Sequence, residues 1–132
     1  MSEERIRQLL ELADRYYAEG KAEYEEHPGK GCEAVWGSVD AATRALALKV
    51  LGRELRNEGE TWNEFLTKVF SGAGVEDTEL RRLLEVHEHV RRGLHAACFY
   101  GGRPERETDL RVINEEVPRY LSKIKSLVVE HE

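Results

Sequence analysis

Apolar positions recur along the chain at intervals of three and four, the period of an α-helix. In the first segment Ile6, Leu10, Ala13, Tyr17 and Tyr24 form a stripe that Leu9 and Tyr16 widen. Ser2 followed by Glu3, Glu4 and Arg5 reads as a helix start, with acids near the positive end of the helix dipole. The helix is expected to stop at His27-Pro28-Gly29-Lys30-Gly31, because the residue before a proline resists the α conformation. A second helix is predicted from Cys32 to Leu51, with Val35, Val39, Ala42, Leu46 and Val50 as its stripe, Trp36 and Ala47 beside it, and Gly52 as its stop. Asn57-Glu58-Gly59 reads as loop. Thr61 then caps a short helix bearing Trp62, Phe65, Leu66, Val69 and Phe70, closed by Ser71-Gly72-Ala73-Gly74.

A fourth helix is predicted from Asp77 to Phe99, followed by a turn at Tyr100-Gly101-Gly102-Arg103-Pro104. A fifth runs from Thr108 to Val129, with Leu110, Ile113, Val117, Leu121, Ile124 and Val128 on one face. Pro118 lies inside it and cannot donate to the Asn114 carbonyl, so a kink is expected there. No segment alternates as a half-buried strand does, and there is no repeat or dividing linker. Four long amphipathic helices and one short one predict a single all-α domain over residues 1–132, an antiparallel up-and-down bundle.

The length, 132 residues, suits one domain. No apolar run approaches the ~20 residues of a membrane span, and residues 1–14 contain no apolar signal core. The expectation is a soluble, cytoplasmic protein without a membrane partner. Its net charge of −6 argues against a general nucleic-acid coat. The charge is uneven: residues 1–80 hold 10 basic and 17 acidic side chains, and residues 81–132 hold 10 and 9. An acidic ligand is therefore better received by the second half. Cys32 and Cys98 lack CxxC spacing and default to reduced thiols. Scarce Asn and Gln beside abundant Arg and Glu fit a thermophile, in which a Cys32–Cys98 bridge is the alternative.

The fourth helix holds the candidate chemistry. With Leu80 at 0° and 100° per residue, His87 falls at about −20°, Arg91 at about +20° and His95 at about +60°. Leu83, Leu84, Val90, Leu94, Ala97 and Cys98 share that face, so three polar groups climb the apolar stripe or its edge. An Arg there needs a counter-charge. Either Glu33 or Asp40 of a neighbouring helix supplies it, or the bundle holds a polar pocket for an anion, which a guanidinium fork suits. Glu88 can pair with Arg91 or Arg92. Lys30, beside free backbone N–H groups at a helix start, and Tyr100, next to Arg103, are further candidates for an anion and a base. The candidate ligand-binding residues are thus Arg91, His95, His87, Tyr100 and Lys30. His87, His95 and Cys98 span too long a stretch, with no carboxylate at ligand spacing, for an expected metal site. There is no Walker A loop, GxGxxG or G-x-S-x-G motif, and no catalytic residue or cofactor is implied.

Three stretches together resemble the archaeal PaREP family, small helical proteins placed near the HEPN superfamily. They are Ala13-Asp14-Arg15-Tyr16-Tyr17-Ala18-Glu19-Gly20, then Gly31-Cys32-Glu33-Ala34-Val35-Trp36-Gly37 running on to Ala41-Ala42 and Leu46-Ala47, and Leu94-His95-Ala96-Ala97-Cys98-Phe99-Tyr100. The resemblance implies an up-and-down bundle, often dimeric, related to ribonucleases and to nucleotide-binding partners of nucleotidyltransferases. HEPN ribonucleases carry Arg-x4–6-His. Here Arg91 and His95 are one residue short. Arg82 and His87 fit x4 but lie about 140° apart, and Arg82 and His89 fit x6 on the polar face. The expected function is a non-catalytic HEPN-like homodimer that binds a nucleotide or nucleic-acid phosphate through an Arg/His pocket. The alternatives are a metal-independent endoribonuclease, or a structural or partner-binding module without a ligand. Dimerisation is expected because Trp36, Trp62, Phe65, Phe70 and Phe99 exceed what a small four-helix core comfortably buries.

Overall fold

The computed structural model describes residues 2–54 and 59–131, which contain five helices and no strand. Helix α1 (Ser2–Glu23) has Glu3 and Glu4 in its first turn and Lys21 in its last, so its charges complement its dipole. Helix α2 (Pro28–Leu51) starts one turn earlier than expected. Pro28 opens this helix instead of barring it, because a first-turn N–H has no helical acceptor to lose. Pro28-Gly29-Lys30-Gly31 is therefore the first turn of α2 and not a connection. Gly52 ends the helix as predicted, with φ 74° and its N–H on the Leu48 carbonyl.

The expected loop at Asn57 and Glu58 lies outside the described residues. Helix α3 (Trp62–Gly72) is capped by Thr61, whose Oγ1 accepts the Glu64 N–H at 3.1 Å. Helix α4 (Asp77–Glu88) continues without a break through His89–Tyr100, where the backbone bonds open to the wider i→i+5 spacing. Gly101 closes that stretch by donating to the Ala96 carbonyl at 2.8 Å. Helix α5 is continuous across Arg106–Arg111, Val112–Glu116 and Val117–Glu130. Pro118 falls just after the middle stretch, in which Val117 donates to Val112, five residues back. A wide turn thus accompanies the donor that Pro118 lacks.

Contacts between the helices fix their directions. Lys49 meets Glu3, and Ser38 donates to the Ala13 carbonyl, so α1 and α2 are antiparallel. Cys32 joins Cys98, while Trp36 touches His87, so α2 and α4 are antiparallel. His89 meets Glu116 across α4 and α5, and Tyr24 meets Asp109 while Asp14 meets Lys125 across α1 and α5. The result is the predicted up-and-down bundle, with α3 resting on α2 and α4. Its core centres on Leu46, Phe65, Phe70, Ile113, Tyr120 and Ile124, all buried. Burial also holds the Tyr120 phenol well above its ordinary pKa, and its hydroxyl shares a 2.6 Å hydrogen bond with Thr43. No helix among the described residues is long and apolar enough to cross a membrane.

Two glycines set the spacing of α1 and α2. A Cβ added at Gly31 would lie 2.6 Å from the Tyr24 Cα, and one at Gly20 would lie 2.7 Å from the Gly31 carbonyl oxygen. These neighbours are backbone and cannot swing aside. Gly31→Ala is therefore expected to destabilise the bundle by about 2 kcal/mol despite the better helix propensity of Ala. Urea unfolding of the two proteins measures this, and an unchanged midpoint would mean that the helices do not meet this closely.

The disulfide is the alternative reading of the two cysteines, not the default. It joins the start of α2 to the end of α4, with Cα atoms 6.3 Å apart. Both sulfurs lie in the core, and no described cysteine is free.

Candidate functional site

His87, Arg91 and His95 lie where the helical phase puts them, in graded burial. His87 is buried at the centre of the stripe, Arg91 is half-buried one turn on, and His95 is half-buried at the edge. Around His87 stand Trp62, at 4.8 Å between ring centres, Trp36 at 5.4 Å and Tyr120 at 6.4 Å. Its Nε2 is buried without a hydrogen-bond partner among the described residues. Burial, reinforced by the Arg91 charge, pushes the imidazole pKa down to about 3. A neutral imidazole this weakly basic neither accepts nor delivers a proton effectively near pH 7.

Arg91 has no ion pair or hydrogen bond among the described residues, and its Nε is buried. Neither carboxylate expected to meet it does so. Glu33 instead lies 2.6 Å from His95 Nδ1, and Asp40 accepts from Arg44 Nε at 2.9 Å. Glu88 takes Arg92 at 3.1 Å, settling which of its two neighbours it pairs with. Arg91 lines an open hollow of about 390 Å³ between α3 and α4, with Trp62, Asn63, Arg81, Glu85, His87, Glu88 and Arg92. Three guanidinium groups there face two carboxylates. The N-cap at Thr61 is what starts α3 so that Trp62 stands over this hollow.

The five candidate residues do not form one pocket. Lys30 is exposed on the first turn of α2 and lines a second hollow of about 430 Å³ with Tyr16, Glu19, Glu33, Trp36 and Phe99. Trp36, which lines this second hollow, also touches Trp62 and His87 of the first. The His95 ring stacks on Trp36 at 5.0 Å and 26°, and Tyr100 meets His95 edge-on at 5.0 Å. Tyr100 itself is 73% exposed. Trp62 and Arg81 belong to the site but were not singled out by sequence, and Glu33, expected on Arg91, is on His95 instead. Trp62 read as part of an apolar stripe, and a pairing of Glu33 with His95 across two helices has no local signal.

Arg82 and His89, the pair at x6 spacing, each have an acidic neighbour of their own. Arg82 is exposed near Glu79 at 3.8 Å, while His89 turns to Glu116 at 2.7 Å. The trio His87, His95 and Cys98 does not gather around a common point. Among the described residues, one group of three metal-capable side chains converges: Cys32, Cys98 and Asp109. Of the large aromatics expected to crowd the core, Phe65 and Phe70 are fully buried, the two tryptophans are half-buried and Phe99 is exposed, next to the exposed Tyr100. No family model matches the chain, and no curated protein or solved structure matches it.

Proposed function

We propose that the chain is a non-catalytic, HEPN-like helical module that binds a nucleotide or nucleic-acid phosphate in the hollow around Arg91. The observation that carries this reading is the state of Arg91: a half-buried guanidinium with an orphaned Nε and no carboxylate partner among the described residues. A phosphate supplies the missing counter-charge and accepts two N–H groups at once. Arg81, without an ion pair among the described residues, lies on the same wall, and Trp62 offers an indole face for a base. The second half of the chain also carries the more positive charge.

The absence of catalysis rests on the two histidines. His87 is a neutral, buried imidazole, and His95 is tied to Glu33. The HEPN-like and PaREP-like identity, and a nucleotidyltransferase partner, stand on the sequence resemblance alone. A homodimer is proposed through the end of the bundle where Phe99 and Tyr100 remain exposed. Equilibrium sedimentation at tens of micromolar should show twice the chain mass, and a single-chain mass throughout would count against it.

The ligand reading is tested by thermal melts with and without ATP. Ligand that binds the folded state alone raises Tm by mass action, about 2.7 kcal/mol of stabilisation at a hundredfold excess over Kd. The wild type should show that rise. Arg91→Met should lose it while keeping the helical signal, because Met retains volume without charge. An unresponsive wild type would sink the reading.

A further inference from the structure

Beneath the turn that joins α4 to α5, three ligand-bearing side chains arrive from three helices. Cys32 comes from the second turn of α2, Cys98 from the end of α4 and Asp109 from the first turn of α5. One ligand atom from each lies within 4.8 Å of the other two, and all three residues are buried. The sequence hints at the pairing of the two cysteines, 66 positions apart, but not at Asp109 beside them.

Asp109 is the member the disulfide leaves unexplained. Its side chain is 3% exposed and has no ion pair with Lys, Arg or His among the described residues. Its two hydrogen bonds, from the Tyr24 hydroxyl at 2.8 Å and the Glu105 N–H at 2.9 Å, both fall on Oδ2. A carboxylate held this deep beside two sulfurs calls for a positive charge. The donor set, two thiolates and one carboxylate, is one that zinc-type ions take.

We propose that reduction of the Cys32–Cys98 bond turns this cluster into a site for a thiophilic divalent cation of the zinc type. A dithiol reductant delivers two electrons and two protons to the S–S bond, which breaks to two thiols as the reductant closes its own disulfide. The cation then displaces both thiol protons to solvent and forms two metal–sulfur bonds and one metal–oxygen bond to Asp109. Three protein ligands leave a fourth tetrahedral position to water. The Tyr24 hydroxyl and the Glu105 N–H act as outer donors that hold the carboxylate in place. Residues 101–108, which lead from α4 to Asp109, are all exposed, so one short turn separates the cluster from solvent. α2 and α4 are thus stapled covalently when oxidised, and α2, α4 and α5 by a metal ion when reduced.

The test is a Co2+ titration of the full chain, oxidised and after dithiol reduction with the reductant removed without air. The reduced wild type should bind one equivalent, with sulfur-to-cobalt charge-transfer absorption that Zn2+ abolishes by displacement, and the oxidised protein should show none. Asp109→Asn should weaken the affinity by about 10-fold or more. If that variant does not fold, Tyr24→Phe, which removes one outer donor, should weaken it in the same direction. No charge-transfer band in the reduced wild type would overturn the proposal. So would equal binding by the oxidised protein, or an affinity unchanged by the Asp109 or the Tyr24 substitution.

Discussion

Reducing the Cys32–Cys98 bond in metal-free buffer should lower the unfolding free energy by about 4 kcal/mol, the chain-entropy value for a loop of this length. The bond spans 66 residues of sequence, so its loss releases a large closed loop in the unfolded chain. For a domain of this size the expected fall in Tm is about 10 °C or more. The effect should also reach the site. The bond fastens the end of α4, which bears His95, Phe99 and Tyr100, to the first turns of α2, which bear Lys30 and Glu33. Cys98→Ser should match the reduced wild type, because both remove the same constraint. Identical melts of oxidised and reduced protein would show that the two sulfurs are not joined in solution.

The second large effect is a loss of stability in mild acid that traces to one residue. His87 has an ordinary value near 6.5 when unfolded and about 3 when folded, with burial the main cause and the Arg91 charge the lesser one. Above pH 6.5 the imidazole is neutral in both states, so it adds no pH dependence. Between about pH 6.5 and 3 the unfolded chain binds a proton that the folded chain refuses, so stability falls as pH falls. Below about pH 3 both states are protonated and the loss is complete. Each unit inside the window is worth up to about 1.4 kcal/mol, so about 2 kcal/mol should go between pH 6.5 and 4.5. Urea unfolding at the two pH values measures it. His87→Phe, which keeps a ring among Trp36, Trp62 and Tyr120, should remove this part of the slope and leave the part due to carboxylates. An equal slope in both proteins would place the titration elsewhere.

The bundle was legible because its signals are local. The stripes in α1, α2 and α5, the Thr61 cap and the Gly52 stop are each set by residues within a few positions of one another. The misreadings are also local in origin. Pro28 marks the end of a preceding helix and the start of a following one equally well, and only packing decides that α2 begins there. Pro118 foretold a departure from regular helix, but not that α5 would pass through wide turns ahead of it.

The site was read in part, for a different reason. A constant 100° per residue placed His87 in the core because Asp77–Glu88 is regular α-helix, and the ordering of Arg91 and His95 toward the edge survived although both lie beyond it. From His89 onward the turns widen, so that constant step no longer describes the stretch carrying His95 and Tyr100. The spacing pointed to Arg91 and to Lys30 separately, and each lines a hollow of its own, but Trp62 and Arg81 of the first and Tyr16 and Phe99 of the second gave no such signal. The partner of His95 and the lack of a partner for Arg91 are long-range facts. Glu33 lies 62 positions from His95, and no pattern within α4 announces that it passes Arg91 by.

The central claim is that Arg91 is a binding group awaiting an anion, not one half of an ion pair. Calorimetric titration of ATP into the wild type and into Arg91→Met tests it most directly, since it reads binding without relying on unfolding. The expected result is a saturable heat in the wild type and none in Arg91→Met, with both proteins equally helical by circular dichroism. No heat in the wild type, or the same affinity in both proteins, would contradict it.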